Sequence, residues 1–326
     1  MEEKKGLTKT QSWILGCGLF FIIGIVAICS VAVVSLFANK SVRENEKVIG
    51  GSGNEKIGVI RISGVLSEDE GGLLIASSAI SSVRLRQELE SLAQDPDLKA
   101  IILRINSPGG SAVESEELYQ AVVNFKKSGK IVVSSLGDTA ASGGYYVALS
   151  ADEIIASQAT ITGSLGAIAE ITNLSGLYEK LGLQAEVYKT GTEKDIFSQT
   201  RERTDEEKEI IQKVIDDSFQ LFLERIAERR KMEINEVKKM ADGRIYSGQQ
   251  ALDLKLIDKL GNYEDAVSEA KRLAGIEEAK LVEYTSEPTI WDFILQLSSQ
   301  KFNPLLKSLE NLDLTSGFKI RYLLSP

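Results

Sequence analysis

From Trp13 to Ala38 the chain runs 26 residues without a charged side chain. As a helix this run is about 39 Å long against a bilayer hydrocarbon core of about 30 Å, so it can span a membrane with some tilt. A cleaved leader has a shorter apolar core, roughly 7–15 residues, with a small-residue cleavage site close behind it. The length therefore predicts a retained transmembrane helix over 13–38, preceded by a short tail over 1–12. Lys4, Lys5 and Lys9 before the span balance Lys40, Arg43 and Lys47 after it, so charge alone does not orient the anchor. Both cysteines, Cys17 and Cys29, fall inside the span as small apolar fillers, and the rest of the chain has no thiol for a disulfide, a nucleophile or a metal site.

The remainder has the composition of a folded protein: of 326 residues, 43% are hydrophobic and 26% charged, enough for a buried core. Thirty-eight basic residues against 47 acidic ones give a net charge of −9, which leaves no surplus to neutralise a phosphate backbone and argues against nucleic acid as a partner. The chain has no histidine. That removes Ser-His-Asp and Cys-His hydrolysis and imidazole-ligated metals together, so no metal or cofactor is expected. Catalysis must use Ser, Lys, Tyr, Asp, Glu or backbone amides.

The stretch 39–55, with Gly50-Gly51-Ser52-Gly53 and mixed charges, reads as a flexible linker, and the folded domain is expected over 56–283. Apolar runs at Ile57–Ile62, Ala100–Ile105 and Lys130–Leu136 read as strands. They alternate with helical stretches at Ser82–Leu92 and Ser111–Lys127, the pattern of an α/β layered domain with buried strands. Thr204-Asp-Glu-Glu207 is a capping box opening a long helix, whose terminal Arg229, Arg230 and Lys231 suit the negative end of its dipole. Beyond Tyr284 a tail over 284–326 carries Trp291, Ile294, Leu297, Leu305 and Leu309 at roughly helical spacing and ends in the apolar Tyr322-Leu-Leu-Ser-Pro326. It could pack on a subunit, lie on the bilayer, or enter a peptide groove as a self-inhibitor.

Two small-residue turns each follow a buried strand: Asn106-Ser-Pro-Gly-Gly-Ser111 and Asp138-Thr-Ala-Ala-Ser-Gly-Gly-Tyr-Tyr146. Glycine lets backbone approach a ligand closely and present consecutive N–H groups to an anion or a developing oxyanion. Ser142, between Ala141 and Gly143, is unshielded at a strand-to-helix corner, where a serine can serve as a nucleophile or merely cap the helix. Without histidine, its base must be a lysine. To be half neutral near pH 7.5 such a lysine must lose about 3 pK units, or about 4 kcal/mol. Lys189 and Lys194 are the candidates, at the edge of a short glycine-containing loop. Ser298-Ser-Gln-Lys301 has S-x-x-K spacing but lacks the S-D-N and K-T-G elements that accompany it in penicillin-binding enzymes.

Taken together with Thr162-Gly-Ser-Leu-Gly166, the Lys194-Asp195 loop and the block Gly243 to Gly261, these turns resemble the signal peptide peptidase A family, membrane-anchored Ser/Lys proteases of the ClpP/crotonase fold. The resemblance covers roughly Ile57 to Glu283. It implies Ser142 as nucleophile, Lys194 as general base, backbone N–H groups of Gly109 and Gly143 as the oxyanion hole, and Ser164 as hydrogen-bond support for the lysine, with Lys189 structural. It also implies a homo-oligomeric ring in which Ser and Lys come from adjoining protomers, and an N-terminus inside with the catalytic domain outside the cell membrane. Its substrates are expected to be apolar, small-residue peptides such as cleaved signal peptides. An acyl-CoA-binding crotonase-like enzyme and a catalytically silent membrane scaffold are the alternatives.

Overall fold

The apolar runs form the centre of a mixed α/β fold. The computed structural model describes residues 46–67, 82–284 and 320–324. In chain order these give β1 (Glu46–Gly51), β2 (Lys56–Ser63), α1 (Ser82–Ala93), β3 (Leu98–Ser107), β4 (Gly109–Ser111), α2 (Ala112–Lys126), β5 (Ile131–Ala141), α3 (Gly143–Ala148), β6 (Glu153–Ala156) and β7 (Ile161–Gly163). There follow α4 (Ser175–Lys180), a 3-10 turn (Thr192–Asp195), α5 (Asp205–Arg230), α6 (Ile234–Met240), β8 (Ile245–Ser247), α7 (Gly248–Asp253), β9 (Lys259–Leu260), α8 (Tyr263–Ala274), β10 (Lys280–Tyr284) and β11 (Arg321–Leu323).

Nine of these strands make one sheet, ordered β1-β10-β2-β3-β5-β6-β9, with β7 beside the far end of β5 and β8 beyond it. The central pairs β2–β3, β3–β5 and β5–β6 are parallel. Neither face of the sheet meets water. On one side Ile101, Leu103 and Ile105 of β3 join Leu85, Leu89 and Leu92 of α1 and Leu118, Val122 and Phe125 of α2. On the other, Ala100 and Ile102 join Val133 of β5 and Ala266, Val267 and Ala270 of α8. Side chains alternate between faces with period 2, so burial on both sides makes consecutive residues apolar, which is why the centre of β3, Ala100–Leu103, reads as an apolar run.

The elements read from sequence are present, with two differences in extent. Residues 46–51, expected within the flexible linker, form β1 at the sheet edge beside β10, and the Gly-Ser composition that suggested a free tether makes the turn into β2 instead. β5 continues five residues beyond Leu136 to Ala141, because its last residues gain a second partner in β7. The Thr204 capping box is formed in both directions. Arg229 donates to the carbonyls of Leu149 and Ala151, each at 2.8 Å, so the basic cluster ending α5 binds the carbonyls that follow α3. The predicted span 13–38, the tail 1–12, the two cysteines, Ser298–Lys301 and the helical stripe from Trp291 to Leu309 lie outside the described residues. Among the described residues no helix is long and apolar enough to cross a membrane.

Leu103 lies in the central strand with no exposed surface. Leu103→Ala is expected to destabilise the fold by about 2–5 kcal/mol, from lost transfer energy plus the cavity left behind, read as a lower midpoint in urea unfolding followed by circular dichroism.

Candidate active site

The carboxyl ends of parallel strands are where loops can converge on a ligand, and here β3 and β5 deliver both small-residue turns to the same place. Their register breaks between Ile105 and Ser107, with Ser107 opposite Ala140. Ala141 at the end of β5 pairs with Gly163 of β7, and the next amide, Ser142 N–H, donates to the Gly163 carbonyl at 2.7 Å. Held there, Ser142 has φ 52° and ψ −118°. For a residue with a side chain this left-handed backbone costs about 1–3 kcal/mol and persists only where its surroundings enforce it.

Ser142 precedes α3, yet its side chain makes no capping hydrogen bond. Its Oγ is buried and has no hydrogen-bond partner among the described residues. The capping role that its position allows is therefore not the one it plays. Ser164, the residue after Gly163, is also buried and also has positive φ, 51°, with its N–H bonded to the Arg244 carbonyl at 2.8 Å. Strand pairing thus sets Ser142 and Ser164 side by side at one corner.

The first turn forms the facing wall. A Cβ on Gly109, which has φ 101°, would lie 2.7 Å from the Gly143 amide nitrogen, and one on Gly143 would lie 2.4 Å from Ser115 Oγ. Both positions need glycine, because the walls approach closer than a side chain permits. The Gly109 amide, expected to face an oxyanion, donates to Ser107 Oγ at 3.1 Å. Leu66 N–H bonds to the Gly109 carbonyl and Ser111 N–H to the Leu66 carbonyl, so the N–H and C=O of Gly110 point to the open side. The amide on this side is therefore that of Gly110, a residue the sequence did not single out, and it follows from strand alternation across the Gly-Gly pair once β4 lies beside Leu66. The Gly143 amide opens the first turn of α3, where N–H groups have no intrahelical acceptor.

The groove between these walls is filled by the end of the chain. Tyr322 of β11 lies opposite Gly110 in an antiparallel pair. Ala112 N–H bonds to the Ile320 carbonyl at 3.2 Å and Leu324 N–H to the Pro108 carbonyl at 2.9 Å. Along the other edge Arg321 and Ile168 exchange two bonds of 3.0 Å. The segment is thus an extended strand gripped on both edges, and its Tyr322 carbonyl oxygen sits in the notch between Gly109 and Gly143. Of the three roles open to the tail, these residues take the groove.

Tyr322 is 1% exposed. Its ring stacks on Tyr146 at 5.3 Å and tilts against Phe222 at 4.8 Å, while its hydroxyl donates to the Ser218 carbonyl at 2.6 Å. Behind it the Tyr146 hydroxyl bonds to Glu116, which also takes Arg225 at 2.7 Å. Burial alone would raise the Glu116 carboxyl, but the hydrogen bonds from Arg225 and Tyr146 outweigh it and hold the group below its ordinary value. The Tyr322 ring is thus held in an aromatic pocket formed by Tyr146 and Phe222.

Lys194 stands apart. It projects from the 3-10 turn, exposed, and its ammonium bonds to no other described residue; neither Ser142 nor Ser164 meets it within the chain. Lys189, read as structural, pairs with Asp195 at 2.5 Å. Among the described residues the chain thus holds an unpartnered hydroxyl and an unpartnered lysine that do not bond to each other. Among the described residues no group of His, Cys, Asp or Glu could hold a metal.

Residues 124–277 match the family model for peptidase family S49. Over 239 residues the chain is 35% identical to "Putative signal peptide peptidase SppA" of Enterococcus faecium, covering 73% of this chain and 70% of that protein. It is 32% identical over 277 residues to "Serine protease SPPA, chloroplastic" of Arabidopsis thaliana, covering 82% of this chain and 41% of that one. Among solved structures, a mutant of ClpP1 from Listeria monocytogenes aligns with TM-score 0.43 at 16% identity, over 64% of this chain and 94% of that chain.

Ending the chain at Lys319 is expected to empty the groove. Covalent labelling of Ser142 by a fluorophosphonate, followed by mass spectrometry, should then proceed several-fold faster than in the full chain, since the tethered strand competes at an effective concentration of about millimolar. An unchanged rate would contradict occupancy of the groove in solution.

Proposed function

Because this chain belongs to peptidase family S49 and is a serine protease, we propose that Ser142 is its nucleophile and that the Lys194 amine of a neighbouring copy is the general base. The observation that carries this reading is the Ser142 hydroxyl: buried, unbonded, held on a strained corner and next to a notch that already holds a peptide carbonyl. A buried hydroxyl with only a packing role finds a partner. In the reaction, neutral Lys194 takes the Ser142 proton as Oγ bonds to the scissile carbonyl carbon. The carbonyl π electrons move to oxygen, where the Gly110 and Gly143 amides stabilise the charge in the notch lined by Gly109. The Lys194 ammonium then protonates the departing amine as the C–N bond breaks, leaving an ester on Ser142. Water, deprotonated by the same amine, hydrolyses that ester, and Ser164 orients the lysine by a hydrogen bond.

Assembly follows from the same geometry. Leu177, Leu181, Leu183, Val187, Tyr188 and Phe197 are exposed along the segment that carries Lys194, Tyr188 to 90%. Apolar surface of this kind calls for a covering partner. A second copy that covers it receives the lysine beside its own Ser142, and repetition of this head-to-tail contact closes a ring. The domain is of the ClpP/crotonase class and is held at the membrane by the span 13–38, with the N-terminus inside and the catalytic domain outside. Substrates are peptides released into the bilayer, cleaved signal peptides in the first place, which the name of the Enterococcus relative supports. They bind as the tail does, extended between β4 and Ile168, with a large apolar or aromatic side chain in the Tyr146–Phe222 pocket.

Ser142→Ala and Lys194→Ala are each expected to abolish turnover. Unfolded and reassembled together at equal amounts, the two inactive chains should regain roughly a quarter of wild-type activity, the random chance that a site draws its intact serine from one chain and its intact lysine from the next. No recovery in properly assembled mixtures would rule out a shared site. In a second assay, peptides with Tyr before the scissile bond should exceed their Ala counterparts in kcat/KM by about tenfold or more, the equivalent of burying about 1.5–3 kcal/mol of side chain.

A further inference from the structure

The place of Lys194 depends on a chain of ion pairs. The Lys189 ammonium donates to the Thr192 carbonyl and to Asp195 Oδ1, both at 2.5 Å. From the other side the Arg201 guanidinium takes the same carboxylate with two donors, Nε to Oδ2 at 3.0 Å and Nη2 to Oδ1 at 2.8 Å. Its Nη1 reaches Glu207 Oε2 at 2.8 Å, and Nη2 also bonds to Glu207. Glu207 is 2% exposed and closes the capping box of α5, so the far end of the chain is a rigid helix terminus. Arg203 adds bonds to the carbonyls of Ile196 and Ser198 at 3.0 and 3.2 Å.

Asp195 is the residue next to Lys194. A carboxylate so close, left unpaired, would attract the ammonium and hold it protonated, which opposes its use as a base. Here both oxygens are already committed to other cations. The hydrogen bonds from Arg201 and then Lys189 hold Asp195 well below the usual carboxylate range, so the arrangement persists through neutral pH. The remaining charged groups of the loop and of the α5 turn packed on it are Glu193, Glu202, Arg203, Asp205, Glu206 and Lys208; Asp205 and Lys208 pair with each other at 2.8 Å, and Glu193, on the other side of Lys194, has a buried Oε2 with no hydrogen-bond partner among the described residues, a contribution common to every variant below.

We propose that Arg201 is a positioning residue for the reaction: by clamping Asp195 against the buried Glu207 it fixes the Lys194 turn and keeps the neighbouring carboxylate away from the lysine. This rests on Lys194 being the general base. Arg201 places two donors on each carboxylate, a planar forked geometry that a point-like lysine ammonium does not reproduce.

The test is the pH dependence of kcat/KM in Arg201→Met, Arg201→Lys and the double variant Arg201→Met/Asp195→Asn, with assembly checked by light scattering. In Arg201→Met, kcat at neutral pH should fall by about tenfold or more with KM little changed, and the rising limb of the profile should move up by about one pH unit, as expected for an ion pair gained by the base. Adding Asp195→Asn should return the limb to its wild-type position, which loss of loop structure alone would not do. Arg201→Lys should show a smaller displacement of the same sign, and it serves as the readout if Arg201→Met does not assemble. An unmoved limb in the assembled single variants, or a shift that Asp195→Asn does not reverse, overturns the proposal. Full activity in Lys194→Ala would instead overturn the general-base reading beneath it.

Discussion

The hydrogen bond from Ser142 N–H to the Gly163 carbonyl is the contact on which the site turns. It continues the β5–β7 ladder one residue past Ala141, into a residue whose backbone has already left the strand. Without that tie, Ser142 would relax from φ 52° toward an ordinary helix cap and its hydroxyl would find a backbone partner. With it, the side chain is held off every donor and acceptor among the described residues. The cost is recovered by the sheet behind it, since β5 is buried on both faces and cannot shift without disturbing both cores.

The same parallel sheet explains why the groove has two usable edges. β4 is too short to be a sheet of its own, and it joins only Leu66 on one side, leaving Gly110 to pair outward. Ile168 supplies the opposite edge. The strand laid between them is held by main-chain bonds that do not depend on side-chain identity, while its Tyr322 ring alone is anchored against Tyr146 and Phe222. Augmentation by an extended peptide with one anchoring side chain is a general mode of peptide recognition, and the chain's own end satisfies it.

The proposed division of labour between protomers suits this chemistry. Ser142 must be dry and rigid to be held unbonded, whereas a lysine free to reach a neighbouring site must project from the surface. The Asp195–Arg201–Glu207 chain meets that second need, lending rigidity to an exposed turn by tying it to a buried carboxylate at a helix start. Isolated surface ion pairs contribute little to stability; a network anchored on one buried member is more constraining.

The amino-acid sequence by itself determined the layered α/β architecture, because strands buried on both faces are apolar at consecutive positions, as in Ala100–Leu103. It also determined the long helix after Thr204, through its capping box, and the two small-residue turns as the places where chemistry could occur, since the absence of histidine leaves few other nucleophile and base pairs. Tertiary structure alone decided the rest. Whether Ser142 caps a helix or stands unbonded depends on its pairing with β7, a segment 20 residues away. Which glycine amide faces the groove depends on the side of β4 that Leu66 occupies. That residues 46–51 are strand rather than tether depends on an open edge beside β10, and that the Tyr322 ring is buried depends on α5 bringing Phe222 and the Ser218 carbonyl against it. Each of these is a long-range contact, and local propensity carries no record of the partner that a residue will meet.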